Sequence, residues 1–322
     1  MIHDIKQLPN IDFERLALRV FRFQAQYNFL YLEYLKIIGC NPILVDKIED
    51  IPFMPISFFK HHIIQTGGWS PVADFSSSGT TSNTTSHHYL KDQSWYWQNA
   101  RKGFRQFYGA IQNYCVLALL PSYLERTGSS LVFMADDFIR QSKYKESGFF
   151  LNETQDLVER LEQYRQQNIP TLLIGVSFAL LDLAEQHPMP LGKTIIMETG
   201  GMKGRRKEIT REELHTQLKK AFQVEKIHSE YGMTELLSQA YSKGDGLFYP
   251  SATMRVLTRE ITDPFHIVHG TTGAISIIDL ANIDTISFIA TDDLGRIYDD
   301  LSFEMQGRLD ASDMRGCNLM VI

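Results

Sequence analysis

The chain has 322 residues, of which 43% are hydrophobic, and its formal net charge is −6. This length and apolar content predict two lobes with a sizeable core. The acidic balance argues against a nucleic-acid partner, because there is no basic surplus to displace counterions from phosphates. We expect a cytoplasmic protein without a membrane span, since no apolar run approaches the ~20 residues needed and no signal-peptide pattern begins the sequence.

The first predicted element is a helix over 12–38, in which large apolar residues recur at helical spacing. Asp12 is its expected N-cap, and Gly39 its expected end. Cys40, Cys115 and Cys317 are far apart along the chain. They indicate neither a disulfide framework nor a cysteine-based zinc site.

The next feature is a hydroxyl-rich stretch around Gly79, in which most residues are Ser or Thr. Gly79 allows a close backbone approach, and successive N–H groups in such a turn form a concave site for an anion. No Lys follows the glycine, so the stretch is not a Walker-type loop. By composition alone a surface linker is the more common interpretation. The candidate phosphate-binding residues are Ser77, Ser78, Gly79, Thr80 and Thr81.

From Ser94 onward, predicted helices alternate with short apolar strands. The helices are expected at 94–110, 153–166, 177–186 and 211–222, and the strands at 115–120, 171–174, 194–197 and 224–227. Continuous apolar strands separated by helices predict an α/β fold with a mostly parallel sheet flanked by helices. Beyond Gly246 the pattern predicts a smaller antiparallel β subdomain, with strands near 254–257, 274–280 and 286–290. The expected division is 1–245 and 246–322.

Ligands of such sheets bind at the carboxyl ends of the strands. Gly200 and Gly201 follow one predicted strand, and the segment Tyr231–Gly232–Met233–Thr234–Glu235 follows another. Both segments are therefore expected at the ligand-binding edge.

These segments, together with Thr291–Asp292–Asp293–Leu294–Gly295 and Gly307–Arg308–Leu309–Asp310, resemble in order and separation the adenylate-forming superfamily of acyl- and aryl-CoA ligases. Two further segments, 51–60 and Arg315–Gly316–Cys317–Asn318, resemble its LuxE-like acyl-protein synthetase family. The resemblance runs from about residue 50 to the end, and it implies ATP and Mg²⁺ as cofactors.

The resemblance implies that the Glu235 carboxylate binds Mg²⁺ and that Thr234 contacts the phosphate. It also implies that Tyr231 contacts adenine, with Gly232 beside it. Gly200 and Gly201 resemble the edge against which adenine lies, although they also suit a plain strand-to-loop turn. The alternative for Glu235 is an acidic residue at a helix N-terminus, stabilised by the helix dipole.

Asp293 matches the acidic residue that binds both ribose hydroxyls, and Arg308 matches the arginine that joins it. An Asp suits a cis-diol because its two oxygens accept both O–H groups. The neighbouring Asp292 is the competing candidate, since an Asp-Asp-Leu-Gly run also forms turns.

Most of the superfamily continues beyond the position of Asp310 with a lid of about a hundred residues that carries a lysine, whereas here 12 residues follow it (322 − 310). The resemblance to the LuxE-like family then implies that Cys317 takes the acyl group from the adenylate and passes it to a partner, such as an acyl reductase or carrier protein. The expected substrate is a carboxylic acid, most simply a fatty acid. The alternatives are a lidless acyl- or aryl-CoA or carrier-protein ligase and an inactive scaffold subunit.

Other motifs have simpler explanations. The pairs His61–His62 and His87–His88 suggest metal binding, but adjacent strand residues point to opposite faces. Residues 203–207 form a basic cluster that could contact pyrophosphate or a partner protein, although a solvated loop is the expected role. Ser177 follows a strand as a hydrolase nucleophile would. An N-cap at Ser177 explains the residue as well.

Overall fold

The computed structural model describes residues 1–77, 85–121, 128–151, 154–200, 206 and 209–309. The helices in this part of the chain are α1 (Ile2–Gln7), α2 (Phe13–Tyr27), α3 (Phe29–Ile37), α4 (Phe58–His61), α5 (Gln93–Tyr108), α6 (Ser130–Gln141), α7 (Thr154–Gln166), α8 (Ser177–Gln186) and α9 (Arg211–Phe222). The strands are β1 (Met54–Pro55), β2 (Ala73–Ser76), β3 (His87–Leu90), β4 (Cys115–Leu119), β5 (Gly148–Phe150), β6 (Thr171–Val176), β7 (Ile195–Thr199), β8 (His228–Tyr231), β9 (Ala240–Ser242), β10 (Leu247–Pro250), β11 (Met254–Arg259), β12 (Ile267–Val268), β13 (Gly273–Asp279), β14 (Phe288–Ile297) and β15 (Phe303–Arg308).

The chain divides into two compact units. One contains residues 69–251, and the other combines residues 1–68 with 252–309. The sequence-based division at 245/246 assigned the N-terminal residues to the larger lobe. In the structure they belong with the C-terminal strands, because β1 pairs in parallel with β14. Such a long-range pairing leaves no local signal in the sequence.

The unit 69–251 is built on the predicted parallel sheet. β5, β4, β6, β7 and β8 lie side by side and parallel, and β9 and β10 continue the sheet antiparallel. All residues of β4 and β6 are buried, as expected for strands covered on both faces. α6 packs on β4, α8 on β6 and β7, and α5 on β9. β2 and β3 form a separate antiparallel hairpin. The predicted α/β class with helices flanking a large sheet is confirmed.

The other unit holds the antiparallel sheet predicted beyond Gly246, in the order β12, β11, β13, β14, β15. The helix predicted over 12–38 is in fact two helices that meet at Asn28. Asn28 is buried, its side-chain oxygen accepts from the N–H of Tyr31, and its amide donates to the carbonyl of Thr285. The break between the two helices therefore places Asn28 where it donates to the backbone carbonyl of Thr285. Helical periodicity cannot predict such a long-range contact. Asp12 caps α2 as predicted.

Two strand predictions need correction. The strand expected at 224–227 is β8, at His228–Tyr231, so the polar residues His228, Ser229 and Glu230 are part of the sheet. The strand expected at 286–290 begins at Phe288 and runs to Ile297, so Asp292 and Asp293 lie within β14 and not in a turn after it.

Candidate functional site

The segment that resembles the metal and phosphate motif lies directly beyond β8. Tyr231 is the last residue of the strand, and a turn follows in which Leu236 N–H donates to the carbonyl of Met233 over 3.1 Å. Glu235 is buried within this turn, with 6% of its surface exposed. The next element after Glu235 is β9, so the alternative of an acidic residue at a helix N-terminus is wrong.

A buried histidine holds this turn. His88 Nδ1 lies 2.9 Å from the carbonyl oxygen of Thr234, and His88 is 1% exposed. Burial lowers the pKa of His88 to about 4, although the hydrogen bond to Thr234 raises it. The imidazole is therefore neutral at pH 7. Sequence reasoning considered His88 only as a metal ligand and missed this contact.

The neighbouring His87 faces the opposite side of the hairpin, as expected for adjacent strand residues. Its Nδ1 lies 2.8 Å from Asp74 Oδ2, and its Nε2 lies 3.0 Å from Thr85 Oγ1. The side chain of His87 is 41% exposed. The two histidines therefore do not share a ligand.

The described ends of the hydroxyl-rich stretch are held together. Ser77 N–H donates to the carbonyl of Ser86 over 3.1 Å, and Ser86 N–H donates to Ser77 Oγ over 2.9 Å. The remaining candidates for the phosphate site, Ser78, Gly79, Thr80 and Thr81, lie outside the described residues. The same is true of Gly201, the second candidate for the adenine edge, and of Cys317, the expected acyl carrier.

Gly200 closes the strand-to-loop turn after β7 and has φ +60°, a left-handed conformation that favours glycine. Its carbonyl oxygen lies 3.0 Å from Ser177 Oγ, and Glu198 Oε2 lies 3.3 Å from the same hydroxyl. Ser177 is the first residue of α8 and makes no side-chain cap, so the predicted N-cap is wrong. Neither partner of the hydroxyl is a histidine, which removes support for the hydrolase interpretation.

Glu198 is the centre of a buried ionic cluster near the carboxyl end of β7. Its Oε1 lies 3.4 Å from Arg211 Nε and 3.6 Å from His215 Nε2. Burial by itself raises the pKa of Glu198, but the hydrogen bond with His215 and the charge of Arg211 bring the pKa below its ordinary value. Glu198 is therefore ionised at neutral pH.

Glu230, next to Tyr231, has a pKa that is raised above its ordinary value, in contrast to that of Glu198. It is 9% exposed and lies opposite Thr199 in the β7–β8 register. Burial raises its pKa to about 7; a hydrogen bond from Thr199 lowers it, and the charge of Glu198 raises it. A Cβ at Gly232 would overlap with Glu230 Oε1, so the glycine leaves room for this carboxyl group. The two acids therefore have pKa values pushed apart at one sheet edge, a property that is frequent in functional sites.

The candidate ribose-binding pair lies in the other unit. Asp293 and Arg308 are directly opposite in the β14–β15 register, and Arg308 Nε lies 3.4 Å from Asp293 Oδ1. The Asp293 side chain is 14% exposed and that of Arg308 is 72% exposed. The structure thus brings these two predicted residues together. The charge of the neighbouring Asp292 acts instead on the buried Arg259, where it raises a pKa that burial lowers.

Arg206, the one described residue of the basic cluster, pairs with acidic residues of α8. Arg206 Nη1 lies 2.7 Å from Glu185 Oε1, and Arg206 Nη2 also pairs with Asp182. Its charge is therefore already matched within the protein.

The described residues contain no group of three or more His, Cys, Asp or Glu side chains that could hold a metal ion. Mg²⁺ in nucleotide sites, however, usually takes only one or two carboxylates and completes its shell with phosphate oxygens and water. The Glu235 carboxylate and the Thr234 hydroxyl, both hard oxygen donors in one turn, fit that kind of site. Across the ranges that the structure describes, no helix is both long and apolar enough to cross a membrane.

No protein-family model and no curated protein matches this sequence. Solved structures do match the fold. ATP-bound MatB from Rhodopseudomonas palustris aligns with a TM-score of 0.57 at 15% identity, over 75% of this chain and 49% of that one. An open conformation of 2-hydroxyisobutyryl-CoA ligase, in complex with 2-HIB-AMP and CoA, aligns with a TM-score of 0.69 at 12% identity, over 92% of this chain and 70% of that one. The chain therefore has the fold of the adenylate-forming acyl-CoA synthetases, and it spans about half the length of MatB.

Proposed function

We propose that this protein is an ATP-dependent, AMP-forming acyl-protein synthetase. It activates a carboxylic acid, most simply a long-chain fatty acid, as an acyl-adenylate and passes the acyl group to a protein acceptor in the cytoplasm. The observation that carries the proposal is the turn with Thr234 and Glu235 at the carboxyl end of β8. It lies on a fold shared with structures that hold ATP or an acyl-AMP.

Glu235 and Thr234 would hold Mg²⁺ together with the ATP phosphates. When bound, the ion neutralises phosphate charge and so favours attack of the substrate carboxylate on the α-phosphorus. The chain itself contributes the buried Glu235 carboxylate, and the glycine at 232 allows the backbone to pass close to Glu230. Tyr231 would contact adenine, as would Gly200 and Gly201.

Asp293 would accept the two ribose hydroxyls, since a carboxylate offers two acceptor oxygens. Arg308, whose Nε lies 3.4 Å from Asp293 Oδ1, pairs with this carboxylate and would limit its rotation. Ser77, Ser78, Gly79, Thr80 and Thr81 would donate to the phosphates.

The second step is proposed for Cys317. Its thiolate attacks the acyl carbonyl carbon, the bond between that carbon and the AMP oxygen breaks, and AMP leaves with the electron pair. The resulting thioester remains activated for transfer to an acyl reductase or a carrier protein. The cation at Arg315 would favour the thiolate.

A CoA ligase is the second candidate, because 2-hydroxyisobutyryl-CoA ligase was solved in complex with CoA. In that case CoA accepts the acyl group, and Cys317 is not acylated. An inactive scaffold subunit is the third interpretation, and it predicts no carboxylate-dependent use of ATP.

A carboxylate-dependent ATP–pyrophosphate exchange assay, run over acids from acetate to stearate, tests the proposal. We expect exchange with one class of acid and a requirement for Mg²⁺. Exchange with no acid, in the presence of a candidate acceptor protein, would refute the ligase proposal. Hydroxylamine-sensitive labelling of the protein by radiolabelled acid and ATP separates the acyl-protein synthetase from the CoA ligase.

A further inference from the structure

His88 makes a contact that the proposed reaction does not account for. It lies on β3, opposite Phe75 of β2, in the hairpin whose ends flank the hydroxyl-rich stretch. Its Nδ1 lies 2.9 Å from the main-chain oxygen of Thr234, 146 positions further along the chain. The hydrogen bond therefore joins two distant segments of the same compact unit.

The chemistry of the contact fixes the donor. A carbonyl oxygen only accepts, and a neutral imidazole carries a single N–H, so Nδ1 must hold the hydrogen. The ring of Phe75 lies edge-on to the imidazole at 6.5 Å between centroids, which limits rotation of the ring.

The accepting carbonyl belongs to Thr234, directly before Glu235. The peptide plane between these residues sets the direction in which the backbone presents both side chains. The Leu236–Met233 hydrogen bond fixes the turn from within the segment, whereas His88 fixes it from outside. Residues that orient the groups binding a metal or phosphate are worth about 10- to 100-fold in affinity or activity.

We infer that His88 is a positioning residue, which docks the Thr234–Glu235 turn on the β2–β3 hairpin through its Nδ1–H. The functional half of this inference rests on the proposed function, but the docking itself does not. His88 touches neither ATP nor the acid in this scheme.

Asn, Gln and Leu variants separate this role from simple packing. His88→Asn places an amide N–H near the position of Nδ1, His88→Gln moves the donor one bond further, and His88→Leu keeps apolar bulk without a donor. His87→Asn and His87→Leu are matched controls, because His87 is the adjacent residue on the opposite face of the hairpin.

Hydrogen–deuterium exchange of the purified protein tests the docking directly. We expect His88→Leu and His88→Gln to raise deuterium uptake in the peptide that covers 230–239, while His88→Asn stays close to wild type and the His87 variants leave this peptide unchanged. Unchanged uptake in His88→Gln, or uptake raised equally over the whole of unit 69–251, would overturn the inference. The comparison of Asn with Gln remains decisive even if His88→Leu fails to fold.

Calorimetric titration with ATP, with and without Mg²⁺, tests the consequence. We expect His88→Gln to weaken Mg²⁺-dependent ATP binding about 10- to 100-fold, with rescue by Asn. If local uptake rises as expected but the wild type neither binds ATP nor catalyses exchange, the proposed function is wrong and the docking role stands. If ATP binding is unchanged in His88→Gln although uptake has risen, the functional half of the inference is wrong.

Discussion

Replacing Glu230 by Gln should change how the stability of the unit 69–251 depends on pH. Glu230 is buried beside Thr199 and near the ionised Glu198, and its pKa is raised from 4.5 to about 7. The amide has the same shape as the carboxyl group but does not ionise. It therefore removes the cost of a buried charge while leaving the packing of the group in place.

The direction in which stability changes with pH follows from the number of protons that the folded and unfolded states bind. Between pH 4.5 and 7 the folded state holds a proton on Glu230 that the unfolded state has lost, so stability falls as pH rises through this range. A shift from 4.5 to about 7 corresponds to roughly 3 kcal/mol. Most of this change lies between pH 5 and pH 8, the interval that contains the raised pKa of Glu230. Above pH 7 the folded carboxyl group also ionises, and no further loss is expected.

Urea unfolding at pH 5 and pH 8 measures the effect. The three tryptophans, Trp69, Trp95 and Trp97, all lie in the unit that contains Glu230, so their fluorescence reports on its unfolding. Relative to wild type, the free energy of unfolding of Glu230→Gln should increase by roughly 2 to 3 kcal/mol between pH 5 and pH 8. Glu225→Gln, a change at an exposed residue just before β8, is the control and should show no such gain. If Glu230→Gln follows wild type in parallel at both pH values, the raised pKa is wrong.

Four further outcomes are expected. Glu235→Gln should reduce Mg²⁺-dependent exchange by about 100-fold with an unchanged circular dichroism spectrum; near-normal activity would remove Glu235 from the metal site. Asp293→Ala should weaken ATP binding by about 10- to 100-fold in calorimetry, through loss of a charged acceptor, and a larger effect of Asp292→Ala would shift the assignment by one residue. Cys317→Ser should still form acyl-AMP but lose the hydroxylamine-sensitive label, and full labelling would place the acyl group elsewhere. Asp12→Ala should cost about 1 kcal/mol in denaturation, because Asp12 Oδ1 accepts from two N–H groups of α2; an unchanged midpoint would contradict that contribution.

Local sequence signals predicted much of the parallel half of the fold, but neither α6 nor β5. α9 has the predicted bounds, and its capping box, in which Thr210 and Glu213 satisfy each other's backbone N–H, is a strong start signal. Strands such as β4 are apolar throughout because both of their faces are covered, so their sequence cannot suit an exposed position.

The prediction for β8 was wrong because the polarity of its residues is satisfied at a distance. Ser229 Oγ lies 3.4 Å from His215 Nε2 of α9, and burial raises the pKa of Glu230 to about 7. A polar run after an apolar one normally indicates that a buried strand has ended. Only knowledge of the partners of the polar groups would show that the strand includes them. Those partners come from α9 and β7, and no pattern within 224–231 points to them.

In the candidate site, too, some residues were predicted from the sequence and others were not. Glu235, Thr234, Asp293 and Arg308 are candidates that motif order predicted, and the structure adds the pairing of the last two across β14 and β15. His88 was missed as a positioning residue, because its partner is a backbone carbonyl that exists as an acceptor only once the turn has formed. Hydrogen bonds from side chains to distant main-chain atoms leave no residue-type signature at the accepting position.

Buried polar residues of the unit 69–251 occur around the carboxyl ends of β7 and β8, which His88 reaches through its contact with Thr234. Glu198, Glu230 and His88 are all buried, and all lie in the unit 69–251, two of them near the carboxyl ends of adjacent parallel strands. Burial of such groups is costly unless each one is paired or neutralised. Here Glu198 is paired with Arg211 and His215. Burial raises the pKa of Glu230 and lowers that of His88, and each shift favours the neutral form of its group. A sheet edge that served only to close the core would use apolar residues at lower cost, so this concentration of satisfied polar groups is itself an argument that the edge binds a polar ligand.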